Sequence, residues 1–220
     1  MSTTERPLRK DAERNRQRIL EAARELFTEQ GLGVTLNDIA HYAGCGVGTV
    51  YRRFPDKEQL IDALFEERIT ELVASAEAAL TDPDAWDGLV TFLEFGLELQ
   101  ARDRGLKEVL LGTDEGRLKV ARVRERLVPL AGQLIERAHA TGALRPEIAH
   151  EDLPVIQLMV GAVIDGARDV APELWRRYLA IVLRGLRAEA TPLEPLPVGP
   201  PTQRQLDDIM RCWKLPARHR

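Results

Sequence analysis

TLNDIAHYAGCGVGTVYRRFPDK, residues Thr35 to Lys57, reads as two short helices joined by a glycine-bearing turn and followed by the start of a third. Thr35 and Asp38 form T-x-x-D, a capping-box pattern that opens a helix. Leu36, Ile39, Ala40 and Ala43 then fall at i, i+3, i+4 and i+7, one apolar stripe. Gly44 suits the left-handed conformation of a helix C-terminus. A second helix is expected from Val47 to Arg53, because Pro55 turns Phe54 away from helical geometry. Val50 and Phe54 point back toward the first stripe, while Thr49, Arg52 and Arg53 lie on another side and Tyr51 stands next to Val47 and Gly48. A short helix with apolar residues inward and small, aromatic and basic residues outward has the make-up of a DNA recognition helix.

The run from Ala43 to Leu60, A-G-x-x-x-G-T-V-Y-x-x-F-P-D-K-E-x-L, resembles the helix-turn-helix signature of TetR-type transcriptional repressors. The likeness extends back through Ile19-Leu20-Glu21-Ala22-Ala23-Arg24-Glu25-Leu26-Phe27 and Gly31. It thus covers about the first third of the chain with many residues at fixed spacing. The resemblance implies an all-α fold, with a three-helix DNA-binding head and a helical body that binds ligand and dimerises. It also implies that Lys57, Tyr51 and Thr35 hold the DNA backbone, a positioning role and not sequence reading. Base reading then falls to Val47, Gly48, Thr49, Arg52 and Arg53. Arginine pairs with the two acceptors of guanine, and Thr or Val meets a thymine methyl. The family usually has Ser or Thr where Gly46 stands, which leaves that phosphate contact open. Cys45 replaces a small apolar residue, and reads either as a small buried hydrophobe or as a thiol sensor.

Composition frames these readings. Aromatics make up 5% and charged residues 30%, a balance suited to a helical rather than a β-rich protein. No apolar run reaches the length of a transmembrane helix, and the first fifteen residues do not read as a signal peptide. Cys45 and Cys212 give neither a disulfide framework nor paired metal spacing, so the expected compartment is the cytoplasm and no cofactor is expected. The net charge is −4. Residues 1–57 nevertheless carry ten Lys/Arg against eight Asp/Glu, which gives +2 there and −6 in the remainder. DNA binding needs only a local basic footprint.

Residues 1–10 are expected to be a polar arm, with Arg6, Arg9 and Lys10 either along DNA or merely solubilising the terminus. The first helix is expected over 11–30, with Ile19, Ala22, Ala23, Leu26 and Phe27 as its buried stripe. Arg14, Arg16 and Arg18 crowd its first half, where the helix dipole disfavours cations. Either a DNA phosphate compensates them or they are solvated. Asp56 caps the next helix, which puts Lys57 at its first position beside amides that favour a phosphate.

That helix, 57–80, is about 35 Å long and buries Ile61, Leu64, Phe65, Ile69, Leu72, Val73 and Ala76. After the break at Thr81-Asp82-Pro83-Asp84, helices are expected over 85–101, 104–111, 115–141, 151–168 and 172–188. Pro129 should bend or split the third of these, and Pro172 suits the first turn of the last. Trp86, Phe92, Phe95, Leu110, Leu111, Val123, Leu127 and Met159 are candidate walls of an apolar inducer pocket, or plain core. Gly161, Ala162, Gly166 and Ala167 allow close helix approach, and the resemblance implies that the last two body helices form a four-helix bundle with a second copy. A proline-rich linker, 192–201, leads to a last amphipathic helix starting with the capping box Thr202–Gln205 and carrying Leu206, Ile209, Met210 and Trp213. That helix either docks on the body or frays.

The domains expected are 1–57, arm and helix-turn-helix; 58–190, ligand binding and dimerisation; and 191–220, linker and terminal helix. His41, His139, His150 and His219 are scattered, and no H-E-x-x-H, G-x-S-x-G or phosphate loop occurs, which argues against catalysis. The expected function is a homodimeric repressor that binds a near-palindromic operator in double-stranded DNA and is released by an unidentified, largely apolar small molecule. A ligand-independent regulator or activator, and a helical interaction protein that no longer reads an operator, are the alternative classes.

Overall fold

The computed structural model describes residues 5–102, 114–188 and 196–212. Its elements are α1 (Glu5–Gln30), a 3-10 turn (Gly31–Gly33), α2 (Leu36–Tyr42), α3 (Val47–Arg53), α4 (Lys57–Thr81), α5 (Ala85–Arg102), α6 (Asp114–Ala140), α7 (Asp152–Ala167), α8 (Leu174–Leu186) and α9 (Gln203–Cys212). The fold is all-α, and among the described residues the only β pairing is an isolated antiparallel bridge between Leu144 and Arg187. No helix among them is long and apolar enough to cross a membrane. The chain divides into two compact units, the first ending at Arg68 and the second containing Ile69–Arg102 and the described residues from Asp114 onward.

The first unit is built by α1, whose Ile19, Ala22, Ala23, Leu26 and Phe27 are buried with Leu36, Ile39 and Ala40 of α2, Val50 of α3, and Phe54. Two seven-residue helices are too short to persist alone, so this shared core holds them. The expected arm is a correction: the backbone is already helical from Glu5. Of the stripe expected on α4, Leu64, Phe65, Ile69 and Ala76 are buried, whereas Ile61, Leu72 and Val73 are only half-buried. Leu60 and Ala79, which that stripe omitted, are buried.

The second unit packs α5 with α6 and α7, and α7 with α8. Its core holds Trp86, Leu89, Leu93 and Leu97 of α5, Leu134 and Ala138 of α6, Ile156 and Val160 of α7, and Trp175 and Leu179 of α8. Gly142, at φ 67°, ends α6 as expected from glycine's tolerance of that region. The chain then runs beside the end of α8, where Arg145 N donates to Leu186 O at 3.0 Å and Ala188 N donates to Ala143 O at 2.9 Å. Pro129 lies inside α6 without splitting it. Pro172 precedes α8, whose N-cap is Glu173. The helix expected over 104–111 lies outside the described residues. Thr202 and Gln205 make the expected cap of α9, with Gln205 N on Thr202 Oγ1 at 3.3 Å and Thr202 N on Gln205 Oε1 at 2.9 Å. Leu206 of α9 is 2% exposed and so is covered by other parts of the chain, whereas Ile209 of the expected stripe is 39% exposed.

The link between α4 and α5 is set by a close backbone approach. Asp84 Oδ1 accepts from Trp86 N at 2.8 Å and Asp87 N at 3.1 Å, capping α5. Arg137 of α6 donates to Ala79 O at 3.1 Å and to Asp82 O, closing the end of α4. A Cβ on Gly88 would stand 2.4 Å from that same Ala79 O. Gly→Ala inside a helix ordinarily stabilises by about 0.5–1 kcal/mol. Here Gly88→Ala is expected to destabilise by about 1–3 kcal/mol through backbone displacement. Urea unfolding measures the difference, and a neutral or stabilising result contradicts the close approach.

Candidate nucleic-acid interface

The turn between α2 and α3 is closed by backbone bonds at both ends. Thr35 is the N-cap of α2: its Oγ1 accepts from Asp38 N at 3.2 Å, while Asp38 Oδ2 accepts from Thr35 N at 2.8 Å and Thr35 Oγ1 at 2.7 Å. The hydroxyl and then the amide of Thr35 hold the Asp38 carboxyl below its ordinary pKa. At the other end Gly44 takes φ 61°. Gly44 N donates to His41 O at 3.1 Å and Cys45 N to Ala40 O at 2.9 Å, the bond pair of a Schellman motif. Arg18 Nη2 reaches from α1 to Ala43 O at 2.6 Å. Cys45 is partly buried, with Sγ 3.7 Å from the same carbonyl. After Gly46 the first bonds of α3 run from Thr49 N and Val50 N to Gly46 O, at 2.8 and 3.3 Å.

This turn sets α3 with Val50 buried and Val47, Gly48, Tyr51, Arg52 and Arg53 exposed. Tyr51, at 45% exposure, is an outward side chain and not a packing residue. Thr49 is half-buried, and Thr35 is exposed. Arg53 leans toward α1, its Nη2 lying 3.7 Å from Glu13 Oε2. Lys57 is the first residue of α4 and is half-buried, its Nζ 5.4 Å from the centroid of the Phe27 ring. Burial lowers its pKa from the ordinary lysine value. Asp56 caps α4 by accepting from Gln59 N at 2.8 Å.

The arginines of α1 require a correction. With the helix starting at Glu5, Arg14, Arg16 and Arg18 lie beyond its first turn, where the dipole has little effect. Their partners are also internal. Arg14 pairs with Asp11 at 3.8 Å, Arg16 with Glu13 at 3.7 Å and Glu67 at 3.6 Å, and Arg18 with the Ala43 carbonyl. Arg24 joins Glu67 as well, so α1 and α4 share a half-buried carboxylate between two arginines. No phosphate is needed to offset a dipole. Arg18, Arg24, Glu13 and Glu67 were not legible as a group, because their partners lie 25 to 51 positions away or on another helix.

In the second unit, Trp86 and Phe92 are buried in the core, and the Arg187 guanidinium sits 5.4 Å from the Trp86 ring centroid. Phe95 and Leu127 are half-buried. Leu110 and Leu111 lie outside the described residues, as does the side chain of Val123. Met159 is 50% exposed, whereas Leu153, Ile156, Val160 and Ile164 of the same helix are buried. A polar pair that the sequence did not single out joins α5 to α7: Gln100 Nε2 donates to Gln157 Oε1 at 3.0 Å, and Gln157 Nε2 donates to Leu93 O at 3.2 Å.

Comparison with known proteins agrees with this architecture. Residues 19–64 match the family model "Bacterial regulatory proteins, tetR family", and residues 82–188 match "Transcriptional regulator SbtR-like, C-terminal domain". A TetR transcription regulatory protein from Mycobacterium vanbaalenii is 30% identical, with a TM-score of 0.65 over 83% of this chain and 100% of that one. The chain belongs to the TetR family. It is a TetR-family transcriptional regulator of the helix-turn-helix type. SmeT, the repressor of the Stenotrophomonas maltophilia multidrug efflux pump SmeDEF, is 26% identical with a TM-score of 0.59, covering 83% of this chain and 97% of that one. An HTH-type transcriptional regulator of Staphylococcus aureus (strain USA300) is 52% identical over 54 residues, 24% of this chain and 29% of that regulator. The match thus spans less than a third of that regulator's length.

The capping box makes the head acid-sensitive in a defined direction. Because the folded Asp38 carboxyl titrates below its unfolded value, its contribution is fully present above the unfolded value of about 3.9 and disappears as pH falls through the folded one. The stability gap between the native protein and Asp38→Asn is expected to hold from pH 7 down to about pH 4 and to close below it. Chemical unfolding at a series of pH values checks this. A gap that widens on acidification contradicts the assignment.

Proposed function

We propose that the chain is a homodimeric repressor that binds a near-palindromic operator through α3 and leaves it when a small molecule binds the second unit. The observation that carries the DNA part is the outward set Val47, Gly48, Tyr51, Arg52 and Arg53 on a short helix anchored from behind by Val50. In this reading Tyr51, Thr35 and Lys57 position the phosphates, and Val47, Gly48, Thr49, Arg52 and Arg53 meet base edges in the major groove. Lys57 combines a cation with the first amides of α4, a pairing that suits a phosphate oxygen.

Dimerisation is supported by α7 and α8. Each buries one side in the core and carries further apolar or small residues that the chain itself leaves open: Met159, Ala162 and Gly166 on α7, beside half-buried Val155, and Tyr178, Ile181 and Gly185 on α8. Met159 is 50%, Tyr178 45% and Ile181 50% exposed. The small residues allow close approach of a second copy's helices, and a two-fold pair of heads would address half-sites about 34–36 Å apart. Repression finds support in the likeness to SmeT, a repressor of an efflux pump. Release by a small molecule, and its largely apolar character, extend the family resemblance through Trp86, Phe92, Phe95 and Leu127, with Leu110, Leu111 and Val123 to be tested alongside. The domain limits 1–57, 58–190 and 191–220, and a cytoplasmic location, belong to the same reading.

Selection from a random duplex pool at fixed salt is expected to enrich a near-palindromic motif. Arg52→Ala is expected either to relax one base position at a cost of about 1–3 kcal/mol or to lower the salt slope by about 0.9, which separates base reading from phosphate contact. Enrichment that is unaffected by Arg52→Ala, Arg53→Ala and Tyr51→Phe together would sink the α3 assignment. Ile181→Glu places a charge in the open apolar side and is expected to yield monomers in sedimentation and to lose the palindromic motif. A dimer that survives this change moves the interface elsewhere.

A further inference from the structure

We propose that Arg18 is a positioning residue for DNA recognition: from α1 it holds the last carbonyl of α2 and so sets where α3 begins. The inference rests on the assignment of α3 as the reading helix.

The Schellman motif at Gly44 satisfies the carbonyls of Ala40 and His41 through Cys45 N and Gly44 N. The carbonyl of Ala43, the C-cap residue, has no role in that motif, and it is there that Arg18 Nη2 arrives at 2.6 Å. A guanidinium at a helix C-terminus both donates to a carbonyl left outside the motif and meets the negative end of the dipole, and the Cys45 thiol, with Sγ at 3.7 Å, is the weaker donor there. The bond joins residues 25 positions apart, so it ties α1 to the turn itself. Only Gly44, Cys45 and Gly46 separate that carbonyl from α3. Any drift of Ala43 therefore passes directly to Val47, Thr49 and Tyr51.

Glycine at position 44 serves this contact twice. Its φ of 61° closes the motif, and an added Cβ would lie 3.2 Å from Arg18 Nη2, pressing on the guanidinium. The carboxylates that α1 shares with its neighbours are engaged by other arginines. Glu13 is shared by Arg16 and Arg53, and Glu67 by Arg16 and Arg24. The arginine fork matters here, because a lysine offers a point charge at the end of a flexible stem and not a planar donor set.

A phosphate-binding role and a positioning role make opposite predictions for salt dependence. Neutralising one phosphate contributes about 0.9 to the slope of log K against log salt, whereas holding a carbonyl contributes nothing to it. The test uses the full chain, the duplex enriched by selection and an unrelated duplex, with Arg18→Met, Arg18→Lys and Arg52→Ala. Arg18→Met is expected to weaken the enriched duplex about ten-fold, in keeping with loss of a charge-assisted hydrogen bond. Its salt slope and its affinity for the unrelated duplex are expected to stay at native values, and Arg18→Lys to recover only part of the loss. Hydrogen exchange gives a readout without DNA: the Gly44 and Cys45 amides are expected to exchange faster in Arg18→Met, while Leu64 and Leu134 amides keep native protection and so report an intact fold.

Equal weakening on both duplexes with a slope reduced by about 0.9 would overturn the proposal in favour of a phosphate contact. Native affinity together with native exchange at Gly44 and Cys45 would overturn it outright. If the native protein enriches no motif, the assignment of α3 has failed and the role of Arg18 fails with it. Loss confined to Arg18→Met, with Arg52→Ala behaving as a reading residue, is the result that supports it.

Discussion

The carbonyl and amide bonds around Ala43, Gly44 and Cys45 are the constraint from which the recognition surface follows. Helices of seven residues have almost no independent stability, because the cost of nucleating a turn is spread over very few propagating bonds. Here α2 is capped by Thr35 and Asp38 at one end and ended by left-handed Gly44 at the other, with Ile39, Ala40 and Val50 giving it and α3 a common floor. Beyond the Arg53–Glu13 pair at 3.7 Å, it is not the exposed side of α3 that fixes the helix. Its geometry is inherited from the turn and from Val50, which is why residues with no base contact govern the residues proposed to make one.

Charge is distributed in the head by the same logic. A count of ten basic and eight acidic residues over 1–57 suggests a surplus of two, spread over α1 and α3 alike. The structure divides them differently. Arg16 and Arg24 converge on Glu67 from α4, at side-chain exposures of 25%, 23% and 19%, so they act as internal ties and not as surface cations. Half-buried pairs of this kind are screened less by salt than exposed ones. Among the described basic residues of the head, Arg14 and Arg18 on α1 and Arg52 and Arg53 on α3 are exposed, with Arg53 steadied at 3.7 Å by Glu13.

The head was largely legible from the chain because its determinants are local. A capping box, a stripe at i, i+3, i+4 and i+7, a glycine stop and a proline two residues after Arg53 all act within one or two turns. Those rules set α2, α3 and the start of α4 at the residues where they are found. What escaped them is non-local. Arg18 on Ala43 O spans 25 positions and Arg24 on Glu67 spans 43, and no periodicity encodes either. The start of α1 escaped for a different reason: Glu5 to Lys10 has only Pro7 and Leu8 as apolar residues, too few for a stripe that would announce a helix. Pro172 misled because proline at a first helical turn and proline just outside a helix look alike when Glu173 can serve as the cap.

Met159 shows why the body resisted the same treatment. A helix hydrophobic on most of its circumference gives a weak period, and α7 is of this kind, with Leu153, Ile156, Val160 and Ile164 on one side and Val155, Met159 and Ala162 on another. From sequence alone, each of those residues fits core, pocket or subunit interface equally well. Burial within one chain separates them: the first group is covered and Met159 is half exposed. The same separation applies on α8, where Trp175, Leu179 and Leu183 are covered while Tyr178 and Ile181 are not. Two adjacent helices thus each keep apolar residues open after the core has taken the other side, and these are the residues proposed above to meet a second copy. Apolar pattern thus combines residues that the core covers with residues that the chain leaves open, and periodicity alone does not part them.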